Sequence, residues 1–147
     1  MTTRSSGFTL IELVVVVAII GTLAAIGVVS YSGYVSSAKV RTAENILSQI
    51  ALGQTEFFAD NRVFAITECP ANVDTSFEIE TELFGGAGLI TEVDPVGDRR
   101  SAVDFVFCVV ADGNGFEIEA LATPESGLNC LLILNRFNSL TRSAGCT

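Results

Sequence analysis

The chain has 147 residues, 49% of them hydrophobic, with a formal net charge of −9 and neither His nor Trp. That length allows one modest globular domain beside a membrane segment. The acidic balance excludes a broad nucleic-acid surface, and the lack of His excludes the common catalytic triads and His-based metal centres.

The first seven residues, Met1 to Gly7, are polar and basic through Arg4. The next stretch, GFTLIELVVVVAIIGTLAAIGVVSYSGY from Gly7 to Tyr34, is almost wholly apolar and holds one charge, Glu12. From Leu13 to Ala38 no charge occurs. As a helix that run is about 39 Å long, enough to cross a hydrocarbon core of about 30 Å. The β-branched residues Val14 to Val17, Ile19 and Ile20 are mediocre helix formers in water. In lipid the backbone has only itself to bond, so helix is predicted regardless. Gly21 and Ala25, with Ala24 and Gly27 nearby, offer small faces for close packing of helices. A secretory signal has a shorter apolar region followed by a small-residue cleavage site, which this run does not match. Arg4 places the leader on the cytoplasmic side and the remainder outside.

Glu12 is the residue that a plain anchor has no use for. An ionised carboxylate in a lipid-spanning helix costs on the order of 3 kcal/mol or more unless it is neutralised. A cut after Gly7 would give Phe8 a positive α-amine one helical turn from Glu12, on the same face. A neighbouring subunit's amine would serve equally, and that favours packing of chain on chain.

Beyond Ser36 the helix is predicted to continue as an amphipathic half, from about Thr9 to Ala59 in all. Ala43, Ile46, Leu47, Ile50, Ala51, Gln54, Phe57 and Phe58 share one face, with Gln54 its sole polar member. Asp60–Asn61 offers a stop. Residues 60 to about 100 are irregular. Phe77 to Glu82 reads both as a short strand, from its alternation with Glu78 and Glu80, and as a short helix running on to Leu83 and Phe84. Asp94–Pro95–Val96–Gly97–Asp98 is turn chemistry. Arg99–Arg100, the one basic doublet, reads as a solvated turn or an intersubunit salt bridge, with a local nucleic-acid contact as the lesser alternative.

A sheet follows. Ala102 to Ala111 is predicted as a buried strand, Asp112–Gly113–Asn114–Gly115 as a hairpin turn, and Phe116 to Thr123 as its partner. In the partner strand Phe116, Ile118, Ala120 and Ala122 share one face. Leu131 to Leu134 and Phe137 to Thr141 complete an antiparallel meander. Two acidic groups have a faint calcium-loop look, Asp112–Asn114–Glu119 and Glu92–Asp94–Asp98, but neither has the EF-hand order. Gly85–Gly86–Ala87–Gly88 lacks the Lys and Ser/Thr of a phosphate loop. No catalytic constellation, metal site or cofactor motif is found, so the chain reads as a non-enzyme. Four cysteines, at 69, 108, 130 and 146, lie past the membrane segment and read as two disulfides in an exported domain, with three pairings open.

The run Gly7-Phe8-Thr9-Leu10-Ile11-Glu12, continued through the apolar stretch to Tyr31 and Tyr34, resembles the processing site of type IV prepilins. The resemblance implies cleavage between Gly7 and Phe8 by a prepilin peptidase, N-methylation of Phe8, and a role for Glu12 in filament assembly. The segment TEFFADNRVFA resembles the helix end and following turn of major pilins. Many type IV pilins carry a helix-breaking proline where Val29 stands here, so unwinding near Gly27 and Gly33 is left open. In such pilins a C-terminal disulfide closes a surface loop. Cys130 and Cys146 flank the last hairpin and are paired on that basis, which leaves Cys69 with Cys108.

The fold this implies is α+β, a long N-terminal helix packed on a small antiparallel sheet. Its segments are a leader at 1–7, a membrane and assembly helix at 8–35, and a globular domain at 36–147. Within that domain the helix runs to about 59, the loop region to about 100 and the disulfide-closed sheet over 101–147. The implied partners are further copies in a helical filament, the peptidase, the pilus assembly machinery and, before assembly, the inner membrane. The mature protein would end in an extracellular pilus serving adhesion, twitching motility or DNA uptake. A type II secretion pseudopilin and a tip-borne minor pilin are the alternative readings.

Overall fold

The computed structural model describes residues 7–113 and 115–146. Met1 to Ser6, and with them Arg4 of the leader, lie outside the described residues, as do Asn114 and Thr147. The chain divides into two units, Met1–Val35 and Ser36–Thr147. Helix α1, Leu10–Asn61, contributes to both. Its backbone is unbroken through Gly27, Val29 and Gly33.

In the first unit α1 is long and apolar enough to cross a membrane over Leu10–Gly27, and none of that window is buried within the chain. A Cβ added at Gly21 or Gly27 would meet nothing within 4 Å. Even the hydroxyl of Thr22 is satisfied locally, donating to the Ile19 carbonyl at 2.8 Å. The segment therefore presents apolar side chains all round, with its polar groups bonded along its own axis, as hydrocarbon requires.

In the second unit α1 buries a stripe of Val40, Ala43, Ile46, Leu47, Ile50 and Gln54, spaced by threes and fours. The stripe joins Phe105, Phe107, Phe116, Ile118, Leu132 and Leu134 of the sheet in one core. Truncating Ile50 or Leu47 to Ala would cost about 2–5 kcal/mol. Gln54, polar and fully buried, is spent on the returning chain: its Nε2 donates to the Ala65 carbonyl at 2.7 Å and its Oε1 accepts from the Ala65 N–H at 3.0 Å. Lys39 reaches Asp104 at 3.4 Å and the Ser126 carbonyl at 3.0 Å, tying α1 to two loops.

Helix α2, Val73–Phe84, settles the segment that reads both ways in sequence. Asn72 caps it by accepting from the Asp74 and Thr75 N–H groups, while the Thr75 hydroxyl accepts from the Asn72 N–H in return. Gly85, at φ 64°, ends it in the left-handed region. Gly53 lets the two helices approach: a Cβ there would stand 3.3 Å from that of Leu83.

Two short strands follow, β1 at Thr91–Val93 and β2 at Arg99–Ser101, paired antiparallel around the Asp94–Asp98 turn. The turn was legible in the sequence and the strands were not. The basic doublet therefore sits in a strand rather than in the turn, and its partners are internal. Arg99 lies 3.4 Å from Asp74 and its guanidinium stacks 3.9 Å above the Phe77 ring. Arg100 binds Glu92 at 2.7 Å.

The main sheet is β3 (Phe105–Asp112), β4 (Gly115–Ala122), β5 (Leu131–Asn135) and β6 (Leu140–Arg142), in that order and antiparallel throughout. This is the predicted meander, and α+β is the observed class. The last strand starts at Leu140 rather than Phe137, because the Asn135 carboxamide oxygen accepts from the Phe137 and Ser139 N–H groups and makes those residues a turn. The outward backbone groups of β3 are covered. Phe107 N–H donates to the Ser76 hydroxyl, its carbonyl accepts from Thr75, and Val109 exchanges bonds with Thr67. The opposite edge, β6, is blunted by its length of three residues and by Arg142, which pairs with Glu44 at 2.6 Å.

Candidate processing and assembly site

The residues from Gly7 to Glu12 span the entry into α1. Gly7, Phe8 and Thr9 are not yet helical, and Leu10 is the first helical residue. Thr9 acts as the cap. Its hydroxyl accepts from the Glu12 N–H at 3.3 Å and donates to Glu12 Oε2 at 3.2 Å, and its own N–H points at the same oxygen at 3.5 Å. This is a reciprocal capping box. The signal, Thr9-x-x-Glu12 ahead of an apolar run, stands in the sequence beside the acid's charge.

The peptide bond between Gly7 and Phe8 is thus held in irregular, exposed backbone, just before a capped helix. Phe8 is 75% exposed, and Leu10, Ile11 and Leu13 are exposed beside it. Among the described residues Glu12 is bonded only to Thr9, and no cation there lies within ion-pair distance of it. The geometry supplies an accessible, irregular backbone segment and a carboxylate whose charge this chain's described residues leave uncompensated.

The cysteines are joined as Cys69–Cys108, with Cα atoms 5.6 Å apart, and Cys130–Cys146, at 4.6 Å. The first ties the loop before α2 to β3. The second closes the β5–β6 hairpin together with the C-terminal turn. In the chain-entropy model loops of these lengths stabilise the fold by about 3–4 kcal/mol each. Cys69, Cys108 and Glu119 are the one trio of metal-type side chains that converge among the described residues. With both sulfurs in a bridge, no thiolate remains there to ligate an ion.

The two acidic groups resolve differently. Glu119 pairs across the sheet with Cys108, four register positions from Asp112, so about 13 Å of strand separates the two acids. Asn114 lies outside the described residues. At the β1–β2 turn, Asp94 Oδ1 accepts from the N–H groups of Val96, Gly97 and Asp98, each at 2.9 Å. The Asp98 amide is the main reason its carboxyl is held below the usual range; burial, next in size, opposes it, and the Val96 and Gly97 amides and the Arg100 charge add to the lowering. Glu92 is committed to Arg100. These acids build a turn.

The carboxylate that sequence reasoning missed is Glu80, which is 1% exposed. It lies on α2, and four groups point at it: the N–H of Leu89, Ile90 and Thr91 and the Thr91 hydroxyl. Burial pushes its pKa up, but the hydrogen bonds from the Thr91 hydroxyl and from the Leu89, Thr91 and Ile90 amides outweigh that and hold it below the usual glutamate range.

Comparison with known proteins agrees with the N-terminal geometry. Residues 2–28 match the prokaryotic N-terminal methylation motif. The chain thus carries the motif by which a class of processed, N-methylated bacterial proteins is recognised. Within that class it resembles type IV pilins. It is 36% identical over 80 residues to a fimbrial protein of Neisseria meningitidis serogroup B, covering 54% of this chain and 47% of the relative. It is 34% identical over 80 residues to the type IV major pilin protein PilE of Neisseria gonorrhoeae, covering 54% and 48%. It is 35% identical over 103 residues to a fimbrial protein of Pseudomonas aeruginosa, covering 68% and 65%. The matches span about half the length of the Neisseria relatives. The proteins it resembles are structural pilins, not enzymes. No solved structure matches the chain.

Proposed function

We propose that this chain is a structural subunit of a type IV pilus filament. The observation that carries the reading is the apolar helical window Leu10–Gly27, uncovered throughout its length and charged only at Glu12. Such a surface needs lipid before assembly and other copies of itself afterwards.

In this reading residues 1–7 are a leader, 8–35 the membrane and assembly helix, and 36–147 the exported domain. Prepilin peptidase cuts between Gly7 and Phe8 and the Phe8 amine is methylated. Arg4 keeps the leader cytoplasmic, so the disulfide-bonded domain folds outside the inner membrane, where bridges persist. The new amine, on the same chain or a neighbour, supplies the cation that Glu12 lacks, and the helices gather into the filament core. The pilus machinery extends the filament, which then serves attachment, twitching movement or DNA uptake.

The test is shearing of surface filaments from cells carrying the wild-type or the Glu12→Ala chain. The reading expects filaments whose main component is this chain, reduced at least about tenfold in the variant while membrane-held subunit persists. Wild-type filament yield from Glu12→Ala, or sheared filaments free of this chain, overturns it.

A further inference from the structure

Glu80 lies outside the Gly7–Glu12 segment, and it is the most fully engaged acid among the described residues. It sits four residues before Phe84, the last residue of α2, facing the segment that leaves the helix. Gly85, Gly86 and Gly88 all have positive φ, so the backbone there doubles back sharply enough for three successive amides, Leu89, Ile90 and Thr91, to converge on one carboxylate. Successive N–H groups aimed at one point form a concave anion site. Here the anion is internal. Oε1 takes the Leu89 and Ile90 amides, and Oε2 takes the amide and hydroxyl of Thr91.

We propose that Glu80 is a built-in anion that latches the 85–91 loop onto α2, and that protonation of Glu80 releases this loop while the four-stranded sheet stays folded. The chemistry is direct. An ionised carboxylate only accepts, which suits four converging donors, whereas a carboxylic acid must turn one oxygen into a donor that faces another donor. What the latch holds down is Ile90, which is wholly buried and plugs the core beneath α2, and the start of β1. Opening would uncover apolar surface at one end of the domain.

The charged groups around the latch do not substitute for it. On α2 itself Asp74, Glu78 and Glu82 are exposed, and Asp74 holds Arg99. On the β1–β2 hairpin Glu92 holds Arg100. Glu56 and Asp60 on α1 line a cleft with Glu82, and Asp112 stands at the far end of β3. No cation among the described residues is bonded to Glu80, so its charge is held by neutral dipoles alone.

The experiment is residue-resolved amide exchange on the full chain in detergent micelles, with rates referred to the intrinsic rate at each pH. In the wild type, protection of Leu89, Ile90 and Thr91 should fall at least about tenfold in acid below the ordinary glutamate range while β4 amides keep theirs. Glu80→Gln, which presents an NH2 to the same donors, should lose that protection already at pH 7. Glu80→Ala should lose it too and regain it on addition of formate, which fills the vacated nest. Thr91→Val, which deletes one donor and keeps the shape, should move the acid release to higher pH and serves if the Glu80 variants do not fold. The proposal is overturned if Glu80→Gln keeps wild-type protection at pH 7, if the wild-type loop and β4 lose protection together, or if Thr91→Val releases at the wild-type pH.

Discussion

Two acids of this chain sit among apolar residues and are treated in opposite ways. Glu80 is enclosed, and the loop after α2 brings it four donors. Glu12 lies on an uncovered apolar helix and, among the described residues, is given only the cap residue Thr9. A carboxylate satisfied inside the fold is a device of stability. One left unsatisfied on a surface that water does not favour directs that surface to something outside the chain. The difference teaches where to look for function in this chain: at the polar group whose needs its described residues do not meet.

The comparison breaks most visibly at Glu12. Glu12→Ala should abolish most filament while leaving the unfolding of residues 36–147 unchanged within about 0.5 kcal/mol, as read by denaturation of the detergent-held chain. Glu80→Ala should do the reverse, costing about 2–4 kcal/mol of domain stability by stranding buried donors, with the N-terminus processed as in the wild type. The sharper version uses pH. A carboxyl whose pKa is held below its unfolded value adds stability at neutral pH that is lost as pH falls through the folded value. Glu80 and Asp94 are both of this kind. Wild-type stability should therefore decline in acid below the ordinary carboxylate range, and the decline should be shallower in Glu80→Gln, measured as the urea midpoint against pH. The smallest effect belongs to Thr9→Ala, which deletes the cap but leaves the charge. It should cost under about 1 kcal/mol of local helix stability and lower filament yield far less than Glu12→Ala, seen as amide exchange near Leu13 beside the yield of sheared filament.

The sequence carried the strongly periodic parts. The face from Ala43 to Phe58 has helical spacing and is buried as far as Gln54, with Phe58 left exposed, and the hairpin Asp112–Gly115 joins two runs long enough to declare themselves as strands. It was silent where tertiary contacts decide. Between Phe77 and Glu82 the alternation of acids suggests a strand as strongly as the Ile79–Leu83 spacing suggests a helix, and what tips it is the Asn72–Thr75 cap at one end and Gly85 at the other. Strands β1 and β2 are three residues each and mostly exposed, so no pattern can form over them. Glu80 stands among Glu78 and Glu82 and looks like a third solvated charge. Only the return of the chain at Gly85–Gly88 buries it. At the N-terminus Glu12 stands out in the sequence as the lone charge of an apolar run, Gly7 and Phe8 stand out through the resemblance to prepilins, and the capping box gives Glu12 a local task beside its charge.

The most direct measurement is the mass of the N-terminal peptide of the protein in its working state. The account predicts a chain beginning at Phe8 with one added methyl group, so that a cationic amine lies within reach of Glu12. A working chain that begins at Met1, or one that has lost Glu12 altogether, would contradict it.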